Sequence, residues 1–393
     1  MKKKRRVYLD YAATVPVFPE VVQAMASYWT TKFGNPSSVH YLGQEARLAI
    51  DQSRAKIAGL LHCSPSEIIF TGTTTTSVNL ALQGTALALQ GKGNHLITSR
   101  IEHQAVLATV KGLERSGFTN TLIGVDQYGQ INLSNLEKAI NKDTIIVSTM
   151  YANNEVGTIQ PIKKIARIVR QKEEELQTKI YFHVDGAACV GWLDLNLDRL
   201  DVDLFTLGAH KFGGPKGIGL LYAKKGTPIK PVLFGGHHEA GLWPGTEAAP
   251  LIVGMAKALE ITLDKRKTVE PKARKLQDLL IKGMLQVPQA ELTGHPENRL
   301  ADIASFIIKG VEGEALLLYL SDKGIAASSG SACTSGELKP SHVLLAMGIQ
   351  PELAHGSLRF SLGAETSKED IDYVLAVLPK VVEKLRKIRK GIR

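Results

Sequence analysis

At 393 residues, with 44% hydrophobic and 22% charged side chains, the chain is long enough to bury a large core and to divide into one bigger and one smaller domain. It has no uninterrupted apolar run near the roughly 20 residues that cross a membrane, and no apolar signal core follows its basic start, MKKKRRVYLDYAAT. The net charge of +10 sits at the ends: Lys2 to Arg6 and Lys384, Arg386, Lys387, Arg389, Lys390 and Arg393 hold eleven of 48 basic residues, leaving 37 against 38 acidic ones.

In chain order, a helix is expected over Gln44–Leu61, where Ala46, Ile50, Ile57 and Leu61 share a stripe. Short β-branched or apolar runs then mark strands at Ile68–Thr71, Leu96–Ser99, Leu122–Val125, Thr144–Met150, Ile180–Asp185, Asp203–Gly208 and Ile218–Ala223. Helical patterns at Ser77–Leu89, Asn135–Ile140 and Ile162–Glu175 separate several of them, the arrangement of a parallel sheet covered by helices. After residue 262 the texture changes to a Lys-rich helix over Asp264–Met284, strands at Ile303–Ile308 and Leu358–Leu362, and a closing helix from Lys368. The reading is α/β, with a large domain over 16–262 and a smaller α+β domain built from 1–15 and 263–393. Cys63, Cys189 and Cys333 have no paired spacing and fit a reducing compartment, so a soluble cytoplasmic protein with no membrane role is expected. Solvated tails account for the basic ends without nucleic acid; docking to an acidic partner or to nucleic acid is the other reading.

Ligands of such sheets bind beyond the carboxyl ends of the strands. One strand end reads YFHVDGAAC and places Asp185 after buried residues, where an isolated carboxylate needs a positive partner. Another runs from DLFTLGA into HKFGGPKGIG and leaves Lys211 among glycines that let a ligand approach. A third, IIFTG, opens into TTTTSVNL, whose hydroxyls and amides at a helix start suit a phosphate. Lysine, carboxylate and phosphate cradle together point to pyridoxal 5'-phosphate.

With these residues in place, the chain resembles the cysteine desulfurases of the class-V aminotransferase group, in their iron–sulfur-cluster (group I) branch. The motifs that carry the resemblance run nearly end to end: YLDYAAT, FGNPSSVH, EHQAVL, NNEVGTIQPI, HVD, AHKFGGPKGIG, PGTE, SSGSACTSG and LRFSLG. It implies a fold type I pyridoxal-phosphate transferase, a mainly parallel seven-stranded sheet, and a homodimer with active sites at the subunit interface. It implies that Lys211 forms the Schiff base with the cofactor, that Asp185 pairs with the ring nitrogen, and that His103 stacks on the ring and shuttles protons. Thr74, Thr75 and His210 are implied at the cofactor, Asn154 near its ring hydroxyl or the substrate, and Thr246 at the phosphate of the neighbouring subunit. Arg359 resembles the residue that clamps the substrate carboxylate, a task for a guanidinium fork. The implied reaction converts L-cysteine to L-alanine, with sulfur held as a persulfide on Cys333 for an acceptor such as an iron–sulfur scaffold. The segment ASSGSACTSGELKPSH is expected to be mobile, with Cys333 away from Lys211.

Departures from the family cluster at the cofactor. Thr73 and Thr76 stand where the family has glycine and glutamate, Ala188 replaces a glutamine, Gly208 replaces a serine, and Ala240, Trp243 and Pro244 replace two arginines and a serine. Thr73 and Thr76 are expected to restore part of the phosphate grip. Cys63 and Cys189 read as packing residues, and His237, His238 and Glu239 lack metal-ligand spacing. A lyase or aminotransferase acting on another amino acid, selenocysteine included, and a weakened sulfur-transfer scaffold stay open beside the desulfurase.

Overall fold

Strands covered on both faces are apolar throughout instead of alternating, and Thr144–Met150 follows that rule with all seven residues buried. The computed structural model describes residues 5–330 and 339–391. Its strands are β1 (Val7–Tyr8), β2 (Ile68–Thr71), β3 (His95–Ser99), β4 (Thr119–Ile123), β5 (Thr144–Met150), β6 (Tyr181–Asp185), β7 (Leu204–Gly208), β8 (Gly219–Ala223), β9 (Ala290–Thr293), β10 (Ile303–Ile308), β11 (Ile325–Ala326) and β12 (Ser357–Ser361). Its helices are α1 (Pro19–Thr30), α2 (Tyr41–Leu61), α3 (Thr74–Asn79), α4 (Thr85–Ala88), α5 (Gln104–Leu113), α6 (Leu133–Ala139), α7 (Ile162–Leu176), α8 (Leu197–Leu200), α9 (Ala249–Met284), α10 (Gly313–Asp322), α11 (His342–Ala346), α12 (Pro351–Ala354) and α13 (Lys368–Gly391).

A seven-stranded sheet runs in the order β2-β8-β7-β6-β5-β3-β4 and is parallel except for β8. Neighbouring residues of a strand face opposite sides, so Ile97 joins a core with Val147, Phe205 and Leu259, while Leu96 joins one with Val106, Val110 and Ile146. A separate core gathers Phe306, Phe360, Leu378 and Val382 between α13 and the antiparallel sheet β12-β10-β9. β1 pairs with β11 in parallel and feeds Val7 into the same core.

α9 spans 36 residues, starting at Ala249 instead of the expected Asp264. Its first part packs against α1 and α2 and carries Ile252, Met255 and Leu259 into the large core, which hides the one-sided stripe that announces a helix. Its last turns carry Leu276, Leu280 and Met284 into the smaller core, and Pro271 lies between the two groups. β4 lies three residues earlier at its start than the apolar run suggested, because it is an edge strand paired to β3 alone and its first four residues stay partly exposed. Among the described residues no helix is long and apolar enough to cross a membrane.

Candidate active site

The register of the parallel strands sets Met150, Asp185 and Thr206 side by side at the carboxyl edge of the sheet. A cavity of about 1240 Å³ opens there, and Thr74, Thr75, His103, Asn154, Asp185 and His210 line it together with Lys211 and Arg359.

Asp185 closes β6 and is 6% exposed. Its Oδ1 accepts from the Ala187 N–H at 3.0 Å and from the Thr206 hydroxyl at 3.5 Å. Burial pushes the carboxyl up, against the Ala187 N–H, His103, Lys211 and Thr206, which pull it down. His183, two residues earlier on the same strand face, contacts Ser148 Oγ at 2.8 Å and Thr206 Oγ1 at 3.3 Å. Full burial lowers its pKa to about 3, so a neutral imidazole backs the Thr206 hydroxyl that reaches Asp185. His103 ends the loop before α5, where its Nδ1 accepts from the Ala105 N–H at 3.0 Å.

Thr74 and Thr75 form the first turn of α3. Thr73 and Thr76, expected to restore part of the phosphate grip, cap that helix, and Thr73 also lines the cavity. The Thr73 N–H donates to Thr76 Oγ1 at 2.8 Å, and the Thr76 N–H donates to Thr73 Oγ1 at 3.1 Å. The hydroxyl left over is that of Thr74, buried and without a hydrogen-bond partner among the described residues. It occupies the space above Gly208, where a Cβ would come within 2.0 Å of Thr74 Oγ1.

Lys211 sits on a single 3-10 turn, Ala209–Lys211, directly after β7. Its Nζ donates to the carbonyls of Ala12 at 2.6 Å and Ala13 at 3.0 Å. These belong to a strap over residues 10–18 that crosses from the small core to the Lys211 turn. The Val15 and Phe18 N–H groups donate to His210 O and Gly213 O, and the Ala12 N–H donates to Ser361 Oγ at 2.8 Å. The glycines after Lys211 therefore receive protein as well as ligand: a Cβ at Gly213, whose φ is +78°, would stand 2.3 Å from the Phe18 ring. His210 turns its Nδ1 to Thr14 Oγ1 at 3.3 Å, and burial, with Lys211 and Lys216, lowers its pKa to about 4.

Arg359, in the middle of β12, is 5% exposed and donates to Asp10 Oδ1 at 2.7 Å and to the Asn154 carbonyl at 2.8 Å. Three buried carboxyls that the motifs did not single out lie near the site, Glu155 and Asp302 toward Arg359 and Glu102 toward Asp185. Burial raises Glu102 to about 8, Glu155 to about 7 and Asp302 to about 7. Ser99 donates to Glu102 and Ser341 to Glu155, both at 2.5 Å. Asp10 had been legible only as a letter in YLDYAAT; Asp302 had no signal at all.

Two expected site residues are not among those gathered here. Thr246 is exposed and outside the cavity lining of this chain, and Cys333 lies outside the described residues. Cys189 is fully buried and its thiol donates to Gly186 O at 3.0 Å, while burial pushes the half-buried Cys63 thiol up to about 12. His238 contacts Ser37 at 3.2 Å, but Glu239 turns inward to Arg54 at 2.6 and 2.9 Å and to the Phe70 N–H at 2.9 Å, with a left-handed φ of +49°. Trp243, where the resemblance had a polar residue, packs against the apolar cluster of Ile69, Leu80, Leu204 and Leu221.

Sheet, strand-end lysine and strand-end carboxylate define an enzyme of the fold type I architecture. The family model for aminotransferase class-V matches residues 7–374, and the chain belongs to that pyridoxal-phosphate-dependent family. Within it, relatives similar to the chain over nearly its whole length are named cysteine desulfurases. The chain is 46% identical over 387 residues to "Cysteine desulfurase IscS" of Dictyoglomus turgidum, covering 98% of this chain and 96% of that one. A solved "NifS-like protein" superposes with a TM-score of 0.91 at 38% identity, covering 97% of this chain and all of the other. A structure described as "SspA in complex with cysteine" superposes with a TM-score of 0.80 at 32% identity, covering 93% and 100%.

Proposed function

We infer that the protein is a cysteine desulfurase, and propose that it uses pyridoxal phosphate in this cleft to move sulfur from L-cysteine to an acceptor. The observation that carries the reading is that Lys211, Asp185, His103 and Arg359 line one cavity at the carboxyl edge of the sheet. The residues fit the cofactor: a buried carboxylate suits a protonated ring nitrogen, and the orphaned Thr74 hydroxyl suits an acceptor brought by a phosphate. Lys211 would hold it covalently, Asp185 at the ring nitrogen, His103 over the ring, and Thr74, Thr75 and His210 at the phosphate. Bound there, it supplies an electron sink for charge leaving the substrate α-carbon.

The chain's own groups do the rest. Arg359 binds the substrate carboxylate and orients the α-carbon, with Asn154 beside it. The Lys211 amine moves a proton at that carbon, assisted by His103. Cys333 takes the sulfur as a persulfide: the C–S bond of cysteine breaks, an S–S bond forms on Cys333, and the freed carbon takes a proton to leave as alanine. The acceptor that follows is proposed to be an iron–sulfur scaffold.

Phe33, Val39, Tyr41 and Phe234 are 62% to 92% exposed on two segments that the Ser37–His238 contact joins. Such a patch supports a homodimer, in which Thr246 serves the partner's cleft. The two cores support a division into 16–262 and 1–15 with 263–393. The test is to incubate purified protein with L-cysteine and measure sulfide and alanine, beside Cys333→Ala and Lys211→Ala variants. Loss of both products in both variants supports the reading; turnover that survives Cys333→Ala defeats it.

A further inference from the structure

Arg359 is fixed in place. β12 pairs with β10 at Ser305, and Arg359 exchanges both backbone hydrogen bonds with Ser328, at 2.7 and 3.1 Å. Its guanidinium is already engaged: one terminal nitrogen holds the Asn154 carbonyl and the other holds the Asp10 carboxylate at 2.7 Å. Nε is buried with no hydrogen-bond partner among the described residues. Glu155 and Asp302 also act on this guanidinium through space, and burial raises both to about 7, but neither makes an ion pair or hydrogen bond with it among the described residues. Asp10, in direct contact at 2.7 Å, is the carboxylate that pairs with Arg359.

A substrate carboxylate entering the cleft meets an arginine whose charge is matched. Two carboxylates on one guanidinium would leave an uncompensated charge in a poorly hydrated site. The two partners are unequal in freedom: the Arg359 side chain is 6% exposed, while that of Asp10 is 22% exposed and can turn to water. Asp10 is also carried on the strap whose Ala12 and Ala13 carbonyls hold Lys211 Nζ, so the residue that releases Arg359 stands two positions before one that faces the amine.

We propose that Asp10 is a built-in placeholder for the substrate carboxylate, occupying Arg359 in the free enzyme and yielding it to an incoming α-carboxylate. Asp10 is thus a specificity-determining residue: it holds a dry guanidinium neutralised between turnovers and sets a threshold that a ligand must exceed with its amine and side chain as well as its carboxylate. The idea rests on the assignment of Arg359 above.

The probe is propionate, a carboxylate without amine or thiol, titrated calorimetrically into the holoenzyme and into Asp10→Asn, Asp10→Ser and Arg359→Lys. Asp10→Asn, or Asp10→Ser should the first not fold, is expected to tighten propionate roughly three- to fivefold, the scale of a partly exposed ion pair, and to lower KM for cysteine more than it changes kcat. Propionate binding that weakens or stays within twofold of the parent overturns the proposal. Arg359→Lys is expected to abolish the propionate signal; its persistence there overturns the assignment of Arg359 itself.

Discussion

Gly208 offers the sharpest test of how this cleft is built. Its missing side chain makes room for Thr74: a Cβ would lie 2.0 Å from Thr74 Oγ1, 3.4 Å from Thr74 Cβ and 3.7 Å from the His210 ring. Only the first contact is impossible, so Gly208→Ser must rotate the Thr74 hydroxyl away or displace the first turn of α3. Overpacking of this kind costs about 1–3 kcal/mol, and losing a hydrogen bond to a charged phosphate costs about 1.5–3 kcal/mol. Cofactor affinity should therefore fall by roughly one to two decades. The double variant Gly208→Ser/Thr74→Ala removes the clash and presents the hydroxyl from the strand instead of the helix, so it should return to within about threefold of the parent, a strong departure from additivity. The assay is titration of resolved apoenzyme with pyridoxal phosphate followed by absorbance, alongside calorimetric melting of each apoenzyme. If Gly208→Ser alone binds as tightly and melts as high as the parent, or the double variant is no better than the single, the hydroxyl exchange is refuted.

Thr76→Ala should lower stability by about 1 kcal/mol, the worth of a helix cap, and leave cofactor affinity within about twofold; a tenfold loss of affinity would return Thr76 to the phosphate. His183 has a folded pKa of about 3 against an ordinary value of 6.5. Between those values the unfolded chain binds the extra proton, so stability is lost as pH falls through that window, at about 1 kcal/mol per pH unit from this group. Urea unfolding of His183→Gln should show a shallower acid limb, and an unchanged limb would disprove the assignment. Glu239→Ala strands the Phe70 N–H and leaves the largely buried Arg54 guanidinium only the Ile68 carbonyl and a 3.9 Å approach to Glu247, and should cost roughly 2–4 kcal/mol; in Arg54→Met/Glu239→Leu, calorimetry should find much of the loss recovered.

The central strands were legible because burial on both faces writes an apolar run, as in TIIVSTM. The start of α9 was not, because a helix covered on several sides loses the stripe that marks one. At the site, Lys211, Asp185, His103 and Arg359 could be picked out singly, since each stands at a strand end or in a long motif. What joins them could not. The Ala12 carbonyl reaches Lys211 across 199 positions, and Asp10 reaches Arg359 across 349. The pairs Thr74–Gly208 and Phe18–Gly213 are likewise complementary shapes, in which a large group on one segment meets a missing Cβ on another, and neither half announces its partner.

The continuity of α9 has a mechanical consequence. At 1.5 Å per residue its 36 residues make a rod roughly 54 Å long, embedded at one end in the larger core and at the other in the smaller. Pro271 falls between Leu263, which packs on the larger core, and buried Ala273, and deletes one rung of the hydrogen-bond ladder there. The rod is thus weakened along its second half, between the two ends that the cores hold.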